Sequence, residues 1–378
     1  MPVTATAVID QAYMQRALKL ASLGKYTTTP NPNVGCVIVD DNSQIVGEGF
    51  HQLAGTPHAE VHAMRQAGDK TRGATVYVTL EPCSHHGRTG PCADALIEAG
   101  AKRVVVAMQD PNPRVAGNGI QRLRDAGIAV DVGCCEADAR ALNRGFLRRM
   151  ETGRPFVTLK LAATLDGRTA LANGASQWIT GADARRDVHR LRATSCAILT
   201  GADTVLVDDP QLNVRIDKSA VYPHQVSELE VRQPIRVIVD GKNRLRPELQ
   251  IFQSGNPVIV ANLTANPVLV ESTPVAPQQW QVVSASGYVD LAELLSRLGE
   301  HEINSVWVEA GATLAGALLN QKLVDEVILY QAPKVMGQYA QALFNIAEQT
   351  DMNELPQFSY VSVERVGEDV KLVLVPKY

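Results

Sequence analysis

Apolar residues with a strand period alternate along this chain with runs of helical period, and the alternation starts twice. In the first half, "VGCVIVD" and "IVGEGFH" predict consecutive strands, His58 to Ala67 a helix, "TVYVTLEP" a strand, and Cys92 to Ala99 a second helix. "RVVVAMQ", a helix around Ile120 to Ala126 and the strand "IAVDVG" continue the series. Ahead of them Ile9, Tyr13, Ala17, Leu20 and Ala21 recur at helical spacing and predict a first helix that buries that face. Around "NRGFLRRMETGRPFV" the pattern gives way to basic, Gly and Pro residues, which marks a junction. The second series then runs through strands at "PFVTLKLAATLDG", "CAILTG", "IRVIVD", "NPVIVAN" and "INSVWVE". Its helices are "GADARRDVHRLRA", "YVDLAELLSRLG" with Asp290 near its start, and "ATLAGALLNQ". Two strands joined through Gly367 close the chain. This is an α/β pattern in two domains, drawn at 1–149 and 150–378, as 378 residues also lead one to expect.

Composition narrows the partners. A formal net charge of −4 and 5% aromatic residues argue against a stripe that captures nucleic acid or an anionic membrane. No apolar run approaches the roughly twenty residues needed to cross a bilayer. The opening "MPVTATAVIDQAYMQRALKL" lacks a basic leader and a cleavage pattern, so a cytoplasmic location is expected. Six cysteines in so long a chain form no disulfide framework. Cys36, Cys134, Cys135 and Cys196 read as small hydrophobes.

The other two cysteines carry chemistry. "HAE" at 58–60, "LEPC" ending at Cys83 and "GPC" ending at Cys92 supply one imidazole and two thiolates, which with Zn²⁺ form a neutral trio and leave a fourth tetrahedral position for water. Glu60 stays off the metal, placed to take a proton from that water and deliver protons to a ring nitrogen and the departing amine. Cys92 opens a helix behind Pro91, where the thiolate is favoured. The set matches the zinc deaminase signature with one departure: eight residues, "SHHGRTGP", separate the cysteines instead of two. The alternative is a closed structural zinc with His85 or His86 as fourth ligand, which leaves Glu60 without a task.

"TPNPNVGCVIVD", "HAEVHAM", "LEPCSHHGRTGPC" and "DPNPRVAGNG", in that order, resemble the bifunctional deaminase and reductase family of riboflavin biosynthesis, and the resemblance spans almost the whole chain. It implies a cytidine-deaminase-like first domain that hydrolyses the 2-amino group of a diaminopyrimidinone ribotide. Asn31, His51, His85 and Arg88 match its pyrimidine and phosphoribosyl contacts. "KLAATLDGR", "SQWITG", "LRATSCAILTGADTVLVDDPQLNVR" and "EAGATLAGALL" resemble the reductase half, which implies a dihydrofolate-reductase-like domain that uses NADPH to reduce the ribose to ribityl. By that resemblance Ala162, Trp178, Thr204, Asp208, Gly241, Gly311, Ala312, Thr313, Leu314, Ala315, Gly316 and Ala317 face the cofactor. Ser176, Arg192, Leu212, Arg215 and Glu309 face the substrate, with the two arginine forks holding its 5-phosphate.

Taken alone, Gly311 and Gly316 at a helix start are a weak dinucleotide signal, and close packing explains them as well. Arg192 alone reads as a solvated helix face, and Trp178 as a core or domain-interface aromatic. The expected partner is a small pyrimidine ribotide, with neither nucleic acid nor membrane, in a homo-oligomer of two or more copies. Two rival functions are a deaminase of nucleic-acid bases, which RNA binding would reveal, and a non-catalytic zinc module, which would hold metal but release no ammonia.

Overall fold

The computed structural model describes residues 5–84, 90–113, 115–223 and 226–378. It divides into two compact units, Met1–Gly153 with Lys218–Leu229, and Arg154–Asp217 with Glu230–Tyr378.

The first unit runs α1 (Ala5–Ala21), β1 (Gly35–Val39), β2 (Ile45–Phe50), α2 (Ala59–Ala67), β3 (Thr75–Val78), α3 (Cys92–Ala99), β4 (Arg103–Val106), α4 (Asn118–Asp125), β5 (Ala129–Val132), α5 (Glu136–Leu142) and α6 (Arg144–Thr152). Its sheet has the order β2-β1-β3-β4-β5, antiparallel on either side of β1 and parallel from β3 to β5. Strand alternation sorts the core into two layers. Cys36, Ile38, Val76, Val78, Val104 and Val106 pack with residues of α2, α3 and α4, while Val37, Val39, Tyr77 and Val105 pack with α1 and α6. Helix α2 lies close on β2, since a Cβ at Gly49 would sit 2.4 Å from the carbonyl oxygen of Ala59. Small residues on both elements therefore set the height of the helix that carries Glu60.

The buried face of α1 departs from the expected one. It consists of Asp10, Met14, Ala17, Leu18 and Ala21, while Ile9 is 49% exposed. Asp10 turns inward because its carboxylate accepts two hydrogen bonds from the Arg103 guanidinium, at 2.8 Å each, and one from the Tyr77 hydroxyl at 2.8 Å. The Arg103 bonds hold its carboxyl below the usual range. A charge-assisted pair with a planar fork outweighs one exposed isoleucine.

The second unit follows as β6 (Phe156–Thr164), β7 (Arg168–Ala170), α7 (Ala182–Thr194), β8 (Ala197–Gly201), α8 (Ala202–Asp208), β9 (Ile235–Val239), α9 (Gln250–Gln253), β10 (Val258–Asn262), α10 (Pro267–Ser272) and β11 (Gln278–Gln281). It ends with α11 (Leu291–Glu300), β12 (Ser305–Glu309), α12 (Ala312–Asn320), β13 (Glu326–Ala332), β14 (Gln341–Ala342), β15 (Gln357–Val366) and β16 (Asp369–Lys377). Nine strands lie in the order β11-β10-β9-β8-β12-β6-β13-β16-β15. Those from β11 to β13 are parallel, and the closing hairpin adds two antiparallel strands. Parallel strands need helical cover on both faces. Here α11 and α12 cover one face, and α7, α8 and α9 the other. Asp290 caps α11 as expected, accepting from the N–H groups of Ala292 and Glu293 at 3.0 Å.

Strand order locates the ligand crevice. The chain enters at β6, passes over to β8, steps outward to β11, and returns at β12 between β8 and β6. That reversal is a topological switch point, and in parallel α/β sheets the crevice outside the carboxyl ends of such strands takes the ligand.

Candidate active sites: a metal trio and a buried ion pair

In the first unit the starts of α2 and α3 bring three donors together. His58 is the residue before α2, in extended backbone, and its side chain makes no cap bond. Its Nδ1 lies 3.6 Å from Cys83 Sγ and 3.4 Å from Cys92 Sγ. With ordinary Zn–S and Zn–N bonds, a tetrahedral zinc separates such donors by about 3.5 Å, so the trio fits the ion as it stands. Cys92 is the first residue of α3, and its N–H donates to Cys83 Sγ at 3.3 Å, while Ala93 N–H donates to the Cys83 carbonyl at 3.2 Å. The start of one ligand's helix thus fixes the other ligand. The Cys92 side chain, opposed by burial and aided by His58 and the Cys92 N–H, lowers the Cys83 thiol.

Glu60 stands in the first turn of α2, only 3% exposed, and its Oε2 has no hydrogen-bond partner among the described residues. Burial pushes its carboxyl up, against the opposing pull of His58. A buried carboxylate oxygen without a partner is costly unless a ligand uses it.

His51 is buried, and its Nδ1 lies 3.2 Å from the Pro57 carbonyl and its Nε2 3.0 Å from Asn31 Nδ2. Nδ1 therefore donates and Nε2 accepts, which defines a neutral tautomer. Burial holds its pKa down to about 4, in keeping with that assignment. The His51 ring meets the His58 ring edge-on at 5.4 Å. Asn31, His51, His58, Glu60, Cys83 and Cys92 are thus linked around one place, whereas His85, His86 and Arg88 lie outside the described residues.

In the second unit the two arginines expected to share a phosphate differ. Arg192 does not offer its fork, because Nε and Nη2 pair with Glu309 at 2.5 and 2.8 Å, and Nη1 donates to the Asn213 carbonyl at 3.1 Å. Both side chains are largely buried. Trp307 Nε1 adds a hydrogen bond to Glu309 at 2.8 Å. Although burial opposes it, Arg192 draws the Glu309 carboxyl down to about 2. Arg215 is exposed, and among the described residues its guanidinium is bonded through Nη1 alone, to Asn213 Oδ1 at 3.0 Å.

The Leu212 side chain is buried in the core with Val188 and Val205, which leaves its backbone to face the crevice. Gly316 is needed for packing, since a Cβ there would lie 2.0 Å from the Asn345 carbonyl oxygen. Its neighbour Ala315 is buried too. Trp178 is 62% exposed, not a core aromatic, and Arg185 stacks 4.4 Å above its ring.

Other expected cofactor positions converge at the carboxyl ends of β8, β12 and β6. Gly311 precedes α12, and a Cβ on it would lie 4.0 Å from Thr204 Oγ1; a Cβ on Gly201 would lie 3.7 Å from Leu314 Cδ2. Exposed Thr313 and half-buried Ala312 complete that first turn, with half-buried Ala317 one turn on. Ala162 lies near the end of β6, two residues past Lys160, which stands opposite Glu309 in the register of β6 and β12. Ser176 is half-buried and Asp208 ends α8, exposed. Gly241, after β9, lies beside Val289 and Leu263.

Lys160 was missed by the sequence reading. Burial lowers its pKa against the opposing pull of Glu309. Its only signal was a lysine inside the apolar strand "FVTLKLAAT".

A metal trio beside a buried carboxylate defines a zinc-dependent deaminase, here joined in one chain to an α/β unit whose helix start and strand ends suit a dinucleotide. Residues 8–108 match the cytidine and deoxycytidylate deaminase zinc-binding region, and residues 155–372 match the RibD C-terminal domain. The chain is 53% identical to the riboflavin biosynthesis protein RibD of Escherichia coli (strain K12), covering 97% of this chain and 99% of that one. It is 49% identical to the RibD of Haemophilus influenzae, over 97% and 98% of the two chains. Among solved structures, RibD of Acinetobacter baumannii superposes with a TM-score of 0.89 at 46% identity over 99% of this chain and all of that one. A Thermotoga maritima diaminohydroxyphosphoribosylaminopyrimidine deaminase/5-amino-6-(5-phosphoribosylamino)uracil reductase does so at 0.86 and 36% identity, over 98% and 100%. The chain belongs to the RibD family. It is a bifunctional deaminase and reductase of riboflavin biosynthesis that uses zinc and NADPH.

One group in the reductase gives a pH signature. His189 Nδ1 accepts from the Arg215 N–H at 3.2 Å, and burial, then Arg192 and Arg215, lower its pKa from 6.5 to about 4. Between those values the unfolded chain binds a proton that the folded chain does not, so the stability from neutral His189 is complete above pH 6.5 and is lost as pH falls toward 4. The melting temperature of the second unit is expected to fall over that window less steeply in His189→Gln than in the unchanged chain; parallel curves would remove the assignment.

Proposed function

We propose that residues 1–149 remove the 2-amino group of 2,5-diamino-6-(5-phosphoribosylamino)pyrimidin-4(3H)-one by hydrolysis. Residues 150–378 then reduce the ribose of the resulting 5-amino-6-(5-phosphoribosylamino)uracil to ribityl. The observation that carries the reading is the trio of His58, Cys83 and Cys92 beside the unpartnered Glu60 carboxylate oxygen. Zinc held by these three donors supplies a Lewis acid that makes water nucleophilic near neutral pH. Glu60 takes the proton, passes it to the ring nitrogen, and moves the second one to the departing amine. Neutral His51 orients Asn31, whose Oδ1 can accept from a ring N–H or amine.

Bound in the reductase, NADPH would supply hydride for C1′ of the ring-opened sugar. Gly311 and the first turn of α12 offer backbone N–H groups for its diphosphate. Exposed Arg215 takes the 5-phosphate, and Arg192 with Lys160 holds Glu309 ionised.

The test follows ammonia release and NADPH absorbance in one vessel supplied with the diaminopyrimidinone ribotide. Both signals are expected in that order. Removing zinc with a chelator should abolish the first while leaving reduction of added deaminated ribotide intact. Ammonia release undiminished without zinc would end the deaminase reading.

A cytoplasmic homodimer acting on this small molecule, with no nucleic acid partner, completes the reading. Among the described residues no helix is long and apolar enough to cross a membrane. Strand β15 is the outer strand of its sheet, ten residues long, with exposed Tyr360, Val361 and Val363. Such an edge favours pairing with a second copy. Light scattering should give a dimer for the unchanged chain and a monomer for Val361→Lys with Val363→Lys; a monomeric unchanged chain would refute it.

A further inference from the structure

Glu81 lies two residues before the metal ligand Cys83, buried, with no part in the chemistry above. Its carboxylate accepts four backbone hydrogen bonds. Oε2 takes the N–H of Asp110 at 3.1 Å and of Gly117 at 2.9 Å, and Oε1 takes those of Gly119 at 2.9 Å and Ile120 at 3.2 Å. A carboxylate has about four acceptor sites, so Glu81 is saturated by main chain alone.

Two of those donors belong to the first turn of α4, whose own preceding residue, Gly117, has no side chain to cap it. Glu81 supplies that cap from 36 residues away in sequence. Steric contact adds to the bonding, for a Cβ on Gly119 would lie 1.9 Å from the carbonyl oxygen of Pro82, between Glu81 and Cys83. The start of α4 therefore rests directly on the segment that delivers Cys83. Strands β3 and β4 are parallel neighbours, so the chain after each emerges at the same end of the sheet, where ligands bind. The segment after β3 carries the metal ligand, and the one after β4 carries Asp110 and Asn112, folded by the Asn112 N–H bond to Asp110 Oδ1 at 2.8 Å.

We propose that Glu81 is a positioning residue of the deaminase, whose carboxylate ties the chain after β4 and the start of α4 to Pro82–Cys83 and so sets the substrate-binding wall beside the metal trio. This rests on the deaminase reading above. Glutamine keeps the shape but turns an NH₂ toward two of the N–H groups, leaving at least two buried donors unpaired.

The test uses the full-length zinc-loaded chain carrying Glu81→Gln. The deaminase KM for the diaminopyrimidinone ribotide is expected to rise about 10- to 100-fold, the worth of one or two charge-assisted hydrogen bonds. Its kcat should stay within about threefold, with zinc content and NADPH oxidation unchanged. An unchanged KM, or loss of zinc and kcat with KM unaltered, would overturn the proposal. Should Glu81→Gln fail to fold, Gly119→Ala, which forces α4 off Pro82 with Glu81 intact, is expected to raise KM likewise, and an unaltered KM there overturns it. Amide hydrogen exchange needs no substrate and separates this proposal from the deaminase reading. Gly117, Gly119 and Ile120 should exchange faster in Glu81→Gln while β1 and β3 stay protected; unchanged exchange at those three amides overturns it.

Discussion

Replacing Glu60 with glutamine is expected to lower ammonia release about 10²- to 10⁴-fold, the usual worth of a general acid–base group. That is about 3–5 kcal/mol of barrier. Zinc should remain at one per chain, because His58, Cys83 and Cys92 make the trio without Glu60. Reduction of added deaminated ribotide should not change, which separates loss of a proton carrier from loss of the fold. Metal analysis and both steady-state assays on one preparation check it. Ammonia release close to that of the unchanged chain would show that another group moves the protons.

Arg192→Ala should act mainly through stability. Pairing in the largely buried Arg192–Glu309 bridge satisfies both charges, and removing one partner strands the other where water cannot reach it. Breaking such a pair costs about 3–5 kcal/mol, a large fraction of the stability of one domain. The second unit should melt at lower temperature and lose NADPH oxidation, while deamination continues. Arg192→Met combined with Glu309→Leu should recover much of the melting temperature without recovering reduction, since apolar pairs of similar volume replace such bridges well. If Arg192→Ala melted like the unchanged chain while binding phosphorylated substrate more weakly, the fork would be a phosphate ligand after all.

The metal site was more legible than the reductase site for a physical reason. His58 and Glu60 stand in or beside one helical turn and Cys92 opens another helix behind Pro91, so local chain geometry alone places them at helix starts. Their residue types also have few uses in combination. The reductase residues lack that local logic. Leu212 went into the core, Gly316 answered to Asn345, and Arg192 found its partner 117 residues away. Lys160 looked like one strand residue among many until Glu309 was seen beside it.

From its sequence alone this protein had its two α/β series, its helix starts and its His/Cys/Cys donor set determined, because period, capping and donor chemistry act over a few residues. Tertiary structure alone decided which charges are spent on each other. Asp10 turned inward to Arg103, Glu309 took the Arg192 fork, and Glu81 gathered four amides from the chain after β4 and the start of α4. Such pairings depend on where distant segments meet, and whether a charge faces solvent, a ligand or its opposite is set by that meeting, not by its neighbours in the chain.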